Sequence, residues 1–166
     1  MRDLVTVVDE NDKELATKPR SKLTSKDIVR VSVLWVEDGK GNVLLQQRAL
    51  TKKIGPGLWG PAVAGTVESH ETYLSNIVKE AEEEIGLTDF EPQEVDKRLF
   101  WEKQGEFGRM FTFYQTTIDQ PVEKFKLKTD EVAQIKWVPK EQLLANLDEH
   151  ISEYVPSAVF WKEIYG

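Results

Sequence analysis

The sequence predicts an α/β fold, a mixed β-sheet with helices packed on it. Short runs that alternate apolar and polar residues come in pairs joined by turn sequences. One segment of helical periodicity, about four turns long, interrupts them near the middle of the chain. After a final strand the sequence returns to helical patterns. The order strands, helix, strands, helices is that of a mixed sheet covered by helices.

Along the chain, "LVTVVDENDKELAT" reads as a hairpin of two short strands around Asp9–Lys13. "DIVRVSVLWVEDGKGNVLLQQRA" reads as a second hairpin: Val31, Val33 and Trp35 alternate, "DGKGN" turns and "VLLQQRA" returns. "LTKKIGPGLWGPAVAG" is a loop by its Gly and Pro content. The mid-chain helix follows, read from Thr72 to Ile85. "KRLFWEKQGEFGRMFTFYQTTI" is a strand, a Gly-containing turn and a strand, and "AQIKWVP" is a further strand. Pro139 suits the first turn of a helix over "KEQLLANL", and "VPSAVFWKEIYG" suggests a last amphipathic helix.

Length and composition narrow the classes of function. The 166 residues suit one domain with a sizeable core, and 40% hydrophobic with 31% charged residues is a globular composition. With no cysteine, disulfides, thiol catalysis and zinc–thiolate sites are excluded. Two isolated histidines, His70 and His150, argue against a histidine-rich metal site. The opening "MRDLVTVVDENDKEL" has no long apolar run, so neither a signal peptide nor a membrane anchor is expected there, and a cytoplasmic location is. The net charge of -7 argues against binding duplex nucleic acid or an acidic membrane. A small anionic ligand would need local cations or a metal.

The helix carries the chemistry. On a wheel at about 100° per residue, Leu74, Ile77, Val78, Ala81 and Ile85 gather into an apolar arc, read as the core face. Glu80, Glu83 and Glu84 sit at i, i+3 and i+4 on a neighbouring face, and Glu82 points elsewhere. Gly86 suits the residue that ends the helix. Like charges at this spacing cost about 0.2–0.5 kcal/mol per pair, and negative charge in a last turn opposes the helix dipole. A solvated acidic face would tolerate those costs. A divalent cation would relieve them, because carboxylates are hard oxygen ligands suited to Mg²⁺ or Mn²⁺.

The flanking residues decide between these readings. Gly65, five residues, Glu71, seven residues, then "KEAEEEIGL" over residues 79–87 resembles the Nudix box, with Lys79 where the family has Arg. The resemblance spans residues 65–87 for the box and roughly 28–147 for the surrounding organisation. It implies the Nudix fold over residues 1–166, a mixed β-sheet sandwiched between helices, with an extra N-terminal β-hairpin in residues 1–27.

By that resemblance Glu80, Glu83 and Glu84 are metal ligands for Mg²⁺ or Mn²⁺, and one of them serves as general base. Glu71 takes a structural or orienting role, Gly65 allows close backbone approach beside the metal site, and Gly86 closes the helix. Lys79 is the departure: Arg can grip a box carboxylate with a planar fork, whereas Lys offers a point charge. Ala64, where many members have Gly, is a second. Outside the box, Arg48 matches an Arg used near substrate phosphates; its plain reading is a surface Arg at a strand end. Glu131 matches an acid that precedes a strand Trp, implying an auxiliary ligand or base, with Asp130 as the alternative. Trp59, Trp101, Phe107 and Phe113 could stack a base but are read as core or loop packing. His70 is read as an exposed loop residue.

The N-terminal "VVDENDKELAT" and "VRVSVLW" also resemble isopentenyl-diphosphate isomerases, a Nudix-fold branch. That chemistry needs a Cys and several His, and this chain has Ala64, Thr66 and Val29 at those places. The reading is therefore a metal-dependent pyrophosphohydrolase acting on a nucleoside diphosphate derivative or similar small metabolite, as monomer or homodimer. The alternative is a non-catalytic Nudix-fold nucleotide-binding module.

Overall fold

The computed structural model describes residues 4–101 and 106–166. The Gly-containing turn expected at Gly105 therefore lies outside the described residues. The N-terminal hairpin forms from β1 (Leu4–Val8) and β2 (Glu14–Pro19). It joins the main sheet where Val7 and Val8 pair with Val29 and Ile28.

Strands β3 (Ile28–Glu37) and β4 (Asn42–Arg48) follow the sequence expectation in extent but not in pairing. They share one register pair, Glu37↔Val43, and then part. β3 instead runs parallel to β8 (Gly108–Thr117) along its whole length, from Ile28↔Gly108 to Glu37↔Thr117. Its other edge takes β6 (Val63–Thr66). β4 pairs with β9 (Val132–Pro139) on one side and with the short β5 (Trp59–Gly60) on the other. So "DGKGN" does turn the chain, but a long hairpin does not form. β3 is buried on both faces, like a central strand, and its edges bond to other strands. The loop-rich segment between them also supplies β5 and β6, which pair with β4 and β3 where those two strands part. β7 (Gln93–Phe100) completes the sheet by pairing with β8.

Alternation along the central strands divides the core in two. Leu34, Val36 and Leu44 face α1 (Tyr73–Ile85), packing with Ile77, Ala81 and Ile85. Val33, Trp35, Val43 and Leu45 face the other way, onto α2 (Lys140–Asn146) and α3 (Trp161–Tyr165). There Trp35 stacks on Tyr165 at 4.1 Å between ring centroids. Pro139 is the N-cap of α2 rather than a residue of its first turn. The expected last helix is 3₁₀ over Pro156–Phe160 and α-helical over Trp161–Tyr165. Among the described residues no helix is long and apolar enough to cross a membrane.

Candidate active site

The site is built around α1, and both its ends are specified locally. Thr72 caps the N-terminus: its hydroxyl accepts from Ser75 N–H at 3.0 Å, and Ser75 Oγ accepts from Thr72 N–H at 2.9 Å. Gly86 ends the helix at φ 67°, with Gly86 N–H donating to Glu82 and Leu87 N–H to Ala81. No basic residue lies in the last turn of the helix. The final carbonyls are met instead by backbone, Lys126 N–H on Ile85 and Lys128 N–H on Glu84.

The face turned to the sheet keeps only part of the apolar arc: Ile77, Ala81 and Ile85 are buried against it. Leu74 and Val78 are 50% and 42% exposed. The row that faces inward beside Ile77 and Ala81 is Asn76, Glu80 and Glu84, at i, i+4 and i+8. Polar groups are tolerated there because each finds an internal partner. Asn76, fully buried, donates from Nδ2 to Thr66 O at 3.1 Å and to Glu71 Oε1 at 3.0 Å, and its Oδ1 accepts from Ser32 Oγ. Glu84, 8% exposed, accepts from Gln46 Nε2 at 2.9 Å. The same Gln46 amide holds Ala62 O at 2.8 Å. Gly65 lets β6 approach this row: a Cβ there would lie 2.6 Å from Glu80 Cγ.

Two carboxylate groups result, with opposite electrostatics. At the start of the helix, Glu71 accepts from Glu68 N–H at 2.9 Å and from Asn76, and pairs with Lys79 Nζ at 2.7 Å. Burial pushes the Glu71 carboxyl up, but Lys79 and these donors outweigh it and hold it below the usual range. Lys79 also lies 3.6 Å from Glu80 and 3.9 Å from Glu68. A single ammonium thus reaches three carboxylates without the fork of an Arg. Further along, burial and a hydrogen bond shared with Glu80 push the Glu84 carboxyl well above its usual range, against the pull of Gln46. A buried carboxyl in contact with a partly buried one can share a proton with it, or a cation can take its place. Their hard oxygen atoms fit a divalent metal.

The oxygen and nitrogen atoms of Glu68, His70 and Glu71 also lie within 4.8 Å of one another. The Lys79 ammonium already supplies a cation there, and His70 is mostly exposed, 3.7 Å from Glu68.

The other expected site residues fall around the Glu84 end or on its approaches. Glu83 is exposed on α1, one turn beyond Glu80. Arg48, half-buried at the end of β4, donates from Nε to Ile54 O at 2.9 Å. Burial pulls its guanidinium below the usual pKa, helped by Arg109, against Glu84 and Glu131. Glu131 precedes β9, where Glu131 O accepts from Ala49 N–H at 3.0 Å, and its carboxylate pairs with Lys52. Asp130 is exposed. Of the aromatics, Phe113 is core, Trp59 lies under Lys136 at 4.1 Å, and Arg109 lies over Phe107 at 4.9 Å. Trp101 is 41% exposed. Sequence reasoning passed over Asn76, Gln46, Ser32 and Lys52. The Asn76–Glu80–Glu84 spacing was a readable signal. The partners Gln46, Ser32 and Lys52 are set by tertiary contacts.

Fold and site together define an α/β protein whose distinctive feature is a row of buried polar side chains on one helix, ending in a carboxyl pair. The NUDIX domain model matches residues 26–158. The chain is 27% identical over 159 residues to the Nudix hydrolase YfcD of Escherichia coli, covering 95% of this chain and 85% of that one. It is 28% identical over 144 residues to the Nudix hydrolase PA4841 of Pseudomonas aeruginosa, covering 86% and 82%. Among solved structures, the fold is similar to DR0079 from Deinococcus radiodurans, with a TM-score of 0.81 at 20% identity over 98% of this chain and 99% of that one. A MutT NUDIX hydrolase from Burkholderia pseudomallei gives a TM-score of 0.67 at 15% identity over 84% and 98%. The chain belongs to the Nudix family. Its enzyme class is that of the Nudix hydrolases, which cleave pyrophosphate bonds and generally use divalent metal ions.

Proposed function

We propose that this protein hydrolyses the diphosphate linkage of a nucleoside diphosphate derivative or similar small metabolite in the cytoplasm. Mg²⁺ or Mn²⁺ would be held by Glu80, Glu83 and Glu84. The observation that carries this reading is the contact between buried Glu84 and partly buried Glu80, with Lys79 directed to Glu71 rather than to Glu84. A bound divalent ion there would offset substrate charge, polarise a phosphoryl oxygen and acidify water.

The chain's own residues do the rest. Asn76 and Gln46 fix the row, so the carboxylates do not have to be ordered when substrate arrives. Gly65, Glu71, Lys79 and Gly86 orient the helix and Glu80. Arg48 has its Nε occupied by Ile54 O, and its terminal nitrogens are the donors for a substrate phosphate. The proton of the attacking water passes to one of Glu80, Glu83, Glu84 or Glu131. Residues 1–166 act as one domain, as monomer or homodimer, without duplex nucleic acid.

Turnover of a diphosphate panel with Mg²⁺, Mn²⁺ or EDTA, read as phosphate products, tests this. Metal-dependent release from at least one member is expected. Binding without release would favour the non-catalytic module, and an allylic product from isopentenyl diphosphate would favour the isomerase.

A further inference from the structure

The residues matched by the family model begin at 26, after the N-terminal hairpin. Yet that hairpin grips the start of the box helix at three points. Leu4 O accepts from Ser69 N–H at 2.9 Å. Val5 bridges Glu68 in antiparallel register. At the hairpin turn Asp12 sits at φ 65°, a conformation that Asp tolerates better than most side chains. Its carboxylate, 11% exposed, accepts from Arg30 Nε at 2.8 Å, from Tyr73 Oη at 3.0 Å and from Lys97 Nζ. Arg30 also donates to Asp12 O at 2.8 Å. The cations lie over the Tyr73 ring, Lys97 at 4.8 Å and Arg30 at 5.4 Å from its centroid.

Tyr73 is the first residue of α1, next to the Thr72 cap. Glu68 gives its N–H to the Glu71 carboxylate, which in turn holds Asn76 and Lys79. The hairpin therefore fixes both the turn that feeds Glu71 and the first residue of the helix that carries Glu80 and Glu84. Burying Asp12 requires its partners, and together they bind the hairpin turn, β3, β7 and α1 at one point. A salt link far from the chemistry would have no reason to include the first residue of the reactive helix.

We propose that Asp12 is a positioning residue for hydrolysis: through Tyr73 it sets the axial placement of α1, and so of Glu80 and Glu84. This rests on the function proposed above. Tyr73→Phe removes the hydroxyl, which reaches Asp12 at 3.0 Å and Met110 O at 3.4 Å, and keeps the ring beneath both cations, whereas Asp12→Ala removes the acid that joins them.

The test uses the full chain at a temperature well below the melting point of each variant. Three readouts are taken: kcat and KM on a diphosphate found by the panel, Mn²⁺ affinity by calorimetry, and amide exchange by mass spectrometry. Displacement of a carboxylate by a fraction of an ångström is expected to lower kcat about tenfold in Asp12→Ala and about threefold in Tyr73→Phe, with KM within twofold. Mn²⁺ affinity should weaken in the same order. Exchange should rise in residues 67–80 and not in β8 or β9. The double variant should match Asp12→Ala alone, because Tyr73 acts through Asp12.

Wild-type kcat and Mn²⁺ affinity in Asp12→Ala would overturn the inference, and so would faster exchange spread evenly over the sheet. If wild type turns over no diphosphate, the proposed function fails. Exchange and Mn²⁺ affinity then still decide whether Asp12 positions the helix.

Discussion

Two carboxylate groups lie along α1, and they differ in what balances their charge. Glu71, with Glu68 nearby, is met by Lys79, by Asn76 and by a backbone N–H, and its carboxyl is held below the usual range. Glu84, in contact with Glu80, is met by a neutral amide, and its carboxyl is pushed above the usual range. The first group has its cation within the chain and can serve as scaffold. The second has Lys79 at 3.6 Å from Glu80 but no ion pair at Glu84, where Arg48 acts only at longer range; on the function proposed above, that leaves room for a cation from solution. On the function proposed above, it is the lack of a paired cation at Glu84, more than the count of acids, that would mark the reactive end of this helix.

The largest expected effect lies at the Glu84 end. Glu84→Gln keeps shape and its hydrogen-bonding capacity but removes the charge, and should lower kcat by about 100-fold or more with the circular dichroism of the fold intact. A variant within about threefold of wild type, roughly 0.7 kcal/mol of barrier, would remove Glu84 from the ligand set.

The same contrast governs stability. A cation that binds only the folded chain adds about 2.7 kcal/mol at a hundredfold excess over its Kd. Without metal, Glu84→Gln puts a neutral amide where burial and Glu80 disfavour a charged carboxylate. Thermal melts should therefore show Glu84→Gln at or above wild type in EDTA, and gaining less than wild type from Mn²⁺. Equal gains would place the cation elsewhere.

At the balanced end the expected dependence is on acid. Glu71 titrates lower in the folded chain than its ordinary value of about 4.3, so it contributes stability above that pH and loses it as pH falls through the folded value. Wild type should melt above Glu71→Gln at neutral pH, and the gap should close as the solution is made more acidic than about pH 4. A gap that persists unchanged in acid would mean that the Glu71 charge contributes nothing. The smallest effect is reserved for Lys79→Arg. Since Lys79 already reaches Glu68, Glu71 and Glu80, kcat should stay equal or rise by no more than about threefold. A large loss would show that the site is shaped around the ammonium.

Much of this was legible in the chain itself. The Gly86 stop, the first hairpin and the strands on either side of residues 102–105 follow from local rules. The spacing from Gly65 to Leu87 pointed to the family. What local rules missed has a common cause, the partner across space. A wheel that sorts by hydrophobicity assigns Leu74 and Val78 to the core. Asn76 and Glu84 take the inward positions because Ser32 and Gln46 are there to bond them. The parting of β3 and β4 was hidden in the same way, since an unbroken apolar run does not say which strands lie beside it. Lys52 on Glu131 and Asp12 under Tyr73 join residues far apart in sequence.

Mn²⁺ titration by calorimetry of wild type, Glu84→Gln and His70→Ala tests most directly where the cation binds. His70 belongs to the group already served by Lys79, and it is exposed. We predict that His70→Ala binds Mn²⁺ as wild type does, whereas Glu84→Gln binds at least about tenfold more weakly, a difference of about 1.4 kcal/mol. Loss of Mn²⁺ binding in His70→Ala with full binding in Glu84→Gln would contradict this, and would place the metal at the start of the helix.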